Sequence, residues 1–66
     1  MRRLAAGEYA TLDGRWRVVR AWGERSGSRA RVWTVLRVDV DTAEVLDAFG
    51  TLRDARAWVD ARGGDQ

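Results

Sequence analysis

Apolar and polar residues alternate with a period of two over most of the first fifty positions, and only after that does a helical period take over. Glu8-Tyr9-Ala10-Thr11-Leu12 reads as a short strand. Asp13-Gly14 behind it reads as a two-residue hairpin turn, because both central positions of such a turn need positive φ. That turn pairs Thr11 with Trp16 and sets Tyr9 opposite Val18. Arg15 to Trp22 is the second strand, with Trp16, Val18 and Trp22 on one face and Arg15, Arg17 and Val19 on the other. Arg20 falls on the apolar face, where its long stem can carry the charge out past the sheet edge.

Gly23 to Arg29 holds two glycines and two serines and predicts a polar, mobile loop. A long third strand runs from about Ala30 to Val40. Val32, Leu36, Val38 and Val40 share one face of it with Thr34, and Arg31, Trp33, Val35, Arg37 and Asp39 share the other. Asp41 to Glu44 is a turn, and Val45 to Phe49 a last strand. Its register depends on the turn: four loop residues send Val45 and Phe49 inward with Asp47 beside them, three send Leu46 and Ala48, and a slip of one flips every side chain. Val45 and Phe49 inward is the preferred arrangement. Thr51 is a good N-cap with Asp54 three residues on, near the positive end of the helix. Leu52, Ala55, Val59 and Arg62 then form one stripe flanked by Trp58, and Gly63-Gly64 ends the helix.

The expected fold is α+β: a four-stranded antiparallel meander packed on one face by a single C-terminal helix. Residues 8–62 form the domain, 1–7 a flexible arm and 63–66 a tail. The expected core is Tyr9, Trp16, Val18, Leu36, Val38, Phe49, Leu52, Ala55 and Val59, with Trp58 partly buried. A chain of 66 residues buries only ~60% of its unfolded surface, so its four tryptophans, one tyrosine and one phenylalanine carry much of the stability.

Composition removes whole classes of function. With neither Cys nor His there is no disulfide, no usual zinc ligand and no side chain that titrates near neutrality at its ordinary pKa. The two serines lie in the polar loop without a base partner, and no glycine-rich phosphate loop joins a strand to a helix. A non-enzymatic protein without cofactor, metal or small-molecule substrate is expected. No apolar run approaches the ~20 residues of a membrane span, and Leu4 to Glu8 makes no apolar leader core, which implies a cytoplasmic protein. All twelve basic residues are Arg, as GC-rich codon usage favours, which suits a bacterial or phage source. Charge is unevenly spread. Residues 1–37 hold nine arginines against three acids, and residues 38–66 three against seven, so a net charge of +2 divides into +6 and −4.

One helix covers one face of such a sheet. The other, carrying Arg15, Arg17, Arg31, Trp33 and Arg37 with Val19 and Val35, is left to water or to a partner. Arginines that bridge phosphates or grip guanine, with Trp supplying apolar contact, suit DNA. Trp and Arg are equally the residues of protein-interface hot spots, so an adaptor, a phage-encoded inhibitor or a homodimer using the same face is the alternative. Two short pieces of the chain carry a resemblance. Arg31-Val32-Trp33 looks like the Arg-Val-Trp strand of the plant ethylene-response-factor DNA-binding domain, and Phe49-Gly50-Thr51-Leu52 with Ala55 resembles that family's Phe-x-Thr entry into an alanine-rich helix. The resemblance implies a sheet followed by a packed helix, with Arg15, Arg17, Arg31, Trp33 and Arg37 as DNA-reading residues.

Overall fold

In the computed structural model, which describes residues 1–25 and 27–63, the alternating segments form one open antiparallel sheet and the helical stripe closes one side of it. The elements are β1 (Arg2–Ala5), β2 (Glu8–Ala10), β3 (Trp16–Arg25), β4 (Ser28–Val38), β5 (Ala43–Phe49) and α1 (Leu52–Asp60). Their order across the sheet is the order along the chain. The sheet therefore has five strands, not four. The arm expected over residues 1–7 is largely β1, paired with β2 through Arg2 with Ala10 and Arg3 with Tyr9. Of the expected tail, residues 64–66 lie outside the described residues.

The β2–β3 hairpin keeps the anticipated pairing of Tyr9 with Val18, but its loop is longer than two residues. Thr11 N–H donates to the Trp16 carbonyl, and Gly14 N–H donates to the Thr11 carbonyl, with Gly14 at φ 75. Thr11, buried, staples this turn. Its hydroxyl donates to Asp13 Oδ1 at 2.6 Å and accepts from Trp16 N–H at 3.2 Å, while Asp13 Oδ1 also accepts from Arg15 N–H. These bonds hold the exposed Asp13 carboxyl below its ordinary range.

The main correction concerns β4. It pairs with β3 without interruption from Trp16 opposite Arg37 to Arg25 opposite Ser28, which leaves two residues, 26 and 27, between the strands. Gly27 takes φ 77 there, as a tight hairpin turn requires. The expected mobile loop is thus mostly paired strand, with Ser26 itself outside the described residues. In that register the even residues of β3 share a face with the odd residues of β4. Trp16 and Val18 face the helix, so Trp33 and Val35 face it too, and Val32, Thr34, Leu36 and Val38 point to the open side, contrary to expectation. The core is Trp16, Val18, Val35, Ala55 and Val59, with Tyr9, Trp33, Phe49, Leu52 and Trp58 packed around it. Leu36 and Val38 are half-buried on the opposite face and are not part of it.

β5 follows the same logic with one break. Val35 pairs with Asp47 and Leu36 with Val45, so Leu46 is an extra residue in a β-bulge. Phe49 and Asp47 therefore face the helix as the four-residue loop implied. Val45, expected inward, lies on the open side and is 61% exposed.

The helix starts as read from the sequence but ends at Asp60 with Ala61 as its cap, short of the expected stop at Gly63-Gly64. Thr51 is extended at φ −132 and its Oγ1 accepts from Asp54 N–H at 3.2 Å. Ala55 and Val59 are fully buried, and the small Ala55 lets the helix lie close to the sheet. Trp58 meets Trp16 edge to face, with ring centroids 5.9 Å apart, and Phe49 at 6.1 Å. Arg62, just past the helix, lays its guanidinium 3.4 Å from the Trp58 ring centre and donates to the Trp58 carbonyl.

Candidate nucleic-acid interface

α1 is nine residues long and rests on Trp16, Val18 and Val35, one end of the sheet. The other end of the same face is uncovered. β2 stops pairing at Val19 and β5 at Trp33, whereas β3 and β4 continue together for five more pairs, from Ala21 with Val32 to Arg25 with Ser28. The result is a two-stranded ribbon with both edges free. Its length is about 17 Å at ~3.4 Å per residue.

Among the described side chains, the ribbon's cations lie on the helix side. Alternation puts Arg20, Trp22 and Glu24 of β3 on that face, with Arg29, Arg31 and Trp33 of β4 opposite them. Trp22 is 60% exposed, and the guanidinium groups of Arg31 and Arg29 lie 5.6 and 6.0 Å from its ring centre. Arg20, which sequence alternation had placed awkwardly among apolar residues, lies 5.5 Å over Trp33 and emerges to solvent there. Trp33 in turn meets Tyr9 edge on at 5.8 Å. Arg3, paired with Tyr9, adds a fourth exposed guanidinium beside it.

At the root of the ribbon a shallow depression of about 370 Å³ is lined by Ala6, Gly7, Arg20, Arg31 and Trp33. Gly7 permits it: at φ 72 it brings its carbonyl to 2.8 Å from Arg20 N–H, and a Cβ there would stand 3.2 Å from Arg20 Cβ. Among the described residues, no carboxylate lies within ion-pairing distance of Arg20, Arg29 or Arg31. The acids gather at the far end instead, where Asp13, Asp39, Asp41 and Glu44 lie in or beside the β2–β3 and β4–β5 connections. The Val38 N–H to Arg15 carbonyl bond holds those connections side by side. The molecule is thus polar in charge along β4, basic at the ribbon and acidic at the opposite end.

The five residues expected to form one site are divided by this geometry. Arg31 and Trp33 lie together at the ribbon. Arg37 shares their face but sits at the other end, 4.8 Å over Trp16 beside the helix. Arg17 is on the opposite face, where its Nη1 lies 3.5 Å from Glu8 Oε1. Arg15 precedes β3 in the turn beside Asp13. Arg20, Trp22 and Arg29 take the places of Arg15, Arg17 and Arg37. Trp22 and Arg20 were legible as neighbours on one face of β3. Arg29 was hidden because its strand was read as loop. Among the described residues no group of three or more carboxylates is arranged to hold a metal ion, and no helix is long and apolar enough to cross a membrane. Comparison with protein-family models, curated proteins and solved structures finds no match to the chain.

Proposed function

We propose that the chain is a non-enzymatic DNA-binding module that presents the β3–β4 ribbon to a duplex. The observation that carries this reading is an exposed Trp22 flanked by Arg29 and Arg31, on a ribbon free at both edges that extends beyond the end of the helix. A two-stranded β-ribbon fits a major groove ~12 Å wide and ~8.5 Å deep. Arg20, Arg29 and Arg31, with no acidic partner among the described residues, are available to phosphates or to guanine, and Trp22 offers apolar contact to the base edges. The charge polarity supports the same orientation, since it turns the acidic end away from the phosphates.

Arg20, Arg29 and Arg31 provide three phosphate contacts. At about −0.9 per contact the affinity then falls with a log–log salt slope of about −2.7, a loss of roughly 40-fold between 50 and 200 mM salt. The test is an anisotropy titration of labelled random-sequence duplex at those two salt concentrations. Replacing both Arg29 and Arg31 with Ala should flatten the slope by about 1.8. Trp22→Ala should weaken binding at both salt concentrations, and Arg17→Ala on the opposite face should change nothing. Absence of binding at 50 mM salt, or an Arg17 dependence equal to that of Arg31, refutes the proposal.

A further inference from the structure

We infer that the open face of the sheet, on the side away from α1, is the surface on which two copies of the chain pair. The inference does not rest on the DNA reading, because it concerns the opposite side of the sheet.

By register this face presents Ala10 of β2, Val19 and Ala21 of β3, Val32, Thr34, Leu36 and Val38 of β4, and Val45 and Ala48 of β5. Where all four strands pair, it carries two charged residues, Glu8 and Arg17, and they stand 3.5 Å apart; Arg25, at the far end of β3, falls on the same side by register. Arg2 of the edge strand and Arg15 of the adjoining turn lie at its margin. The pattern is an apolar centre with a polar rim. Ala10 and Val32 are buried within the sheet, but Val19, Ala21, Thr34, Leu36 and Val38 stay part-exposed and Val45 and Ala48 exposed. Among the described residues α1 packs on the other side, and the accessible surface of 4719 Å² exceeds the ~4,200 Å² expected of a folded monomer of this mass.

Charge decides the occupant. The centre holds one cation and one anion side by side among apolar residues, so a polyanion gains nothing by covering it. A second copy does match it. Two-fold pairing is self-complementary, each residue meeting a partner that meets it in return. Arg17 and Glu8 of one copy can then face Glu8 and Arg17 of the other. The sheet edges are poorer candidates: β5 is interrupted by the bulge at Leu46, and β1 has four residues, two of them Arg. The face extends about 24 Å along β4 and about 14 Å between the axes of β2 and β5, roughly 450 Å² in plan once side chains are included. Doubled over two copies and raised by side-chain relief, this reaches the lower end of the ~1,200–2,000 Å² buried in stable interfaces. The dimer is therefore reversible rather than obligate.

The test is sedimentation equilibrium of the full chain from 5 to 500 µM protein, concentrations chosen to span ~micromolar association. Wild type should pass from monomer to dimer across this range. Val45→Glu and Ala48→Glu alter exposed positions, so both should keep the far-UV circular dichroism of wild type while raising the dissociation constant at least ~10-fold, since each buries two like charges. Glu8→Arg and Arg17→Glu should each fail to self-associate, and an equimolar mixture of the two should recover a dimer. A monomer at every concentration overturns the inference. So does a dimer indifferent to both Glu substitutions, or a mixture that stays monomeric. Trp22→Ala, which tests the ribbon, should leave the dimer unchanged.

Discussion

The inward face of β4 can be tested with one substitution made at two places. Val35 is fully buried against Val18, Ala55 and Val59, whereas Val38, three residues along the same strand, is half-buried on the open side. Val35→Ala removes two methyl groups from a close-packed site. Their transfer is worth about 1.6 kcal/mol at ~0.8 per group, and a residual cavity of about 40 Å³ adds about 1 kcal/mol at ~24 cal/mol per Å³. The expected loss of about 2.5 kcal/mol is large beside the roughly 3–10 kcal/mol available to a domain of this size. Val38→Ala loses the same strand propensity, but water reaches the site and no cavity forms, so its cost should stay under about 1 kcal/mol. At ~4–8 °C per kcal/mol, Val35→Ala should lower Tm by about 10–20 °C and Val38→Ala by under about 8 °C. Thermal melts followed by far-UV circular dichroism at low protein concentration measure both. If Val38→Ala costs as much as Val35→Ala or more, the strand is turned the other way and the assignment of faces is wrong.

Two further outcomes follow from local geometry. Asp13 has its pKa lowered in the folded chain, first by the Thr11 hydroxyl and then by Arg15 N–H. Its contribution to stability is therefore present above the unfolded value of 3.8 and is lost as pH falls through the lower folded value. Asp13→Asn should flatten the decline of stability below pH ~4, and an unchanged acid profile in denaturant titrations would show that the turn bonds are not formed. At Gly23 an added Cβ would stand 2.9 Å from Val32 Cγ2, so Gly23→Ala should destabilise by about 1–2 kcal/mol despite the ~0.4–1 kcal/mol usually gained by restricting the unfolded chain. Val32→Ala in the same chain should recover part of that loss, and a stabilised single variant would contradict the close approach.

The sequence made the helix, the β2–β3 pairing and the inner face of β3 legible, because each rests on local chemistry: a Thr cap, an Asp-Gly turn, and Trp16 and Val18 two residues apart. β4 was ambiguous by its own pattern. Val32-Trp33-Thr34-Val35-Leu36-Arg37-Val38 is apolar on both faces, so alternation alone cannot choose between them. The choice is made six to ten residues away, at the turn. Gly27 closes a two-residue hairpin, and its register ties the odd residues of β4 to Trp16 and Val18. Reading residues 23–29 as one flexible loop removed that constraint and, with it, the ribbon. The expected site scattered for the same reason, since Arg15 and Arg17 were joined to Arg31 and Trp33 on the strength of the wrong β4 face. Val45 was missed for a separate cause, because nothing in Val45-Leu46-Asp47 announces a bulge.

The strand order β1-β2-β3-β4-β5 also bears on how the chain reaches this state. Every strand pairs only with its neighbours in sequence, so each closure spans a short loop and its entropy cost is small. Chains built this way have low contact order and fold quickly for β proteins. The ten consecutive pairs of β3 and β4 close around two residues, which makes that hairpin the natural first structure. β2 and β5 then add at either side, and α1, which needs the Trp16–Val18–Val35 surface before it can bury Ala55 and Val59, docks last. The part of the hairpin that extends beyond the helix is thus assembled before the core that anchors it, and mutations in its outer pairs should alter the folding rate more than those in α1.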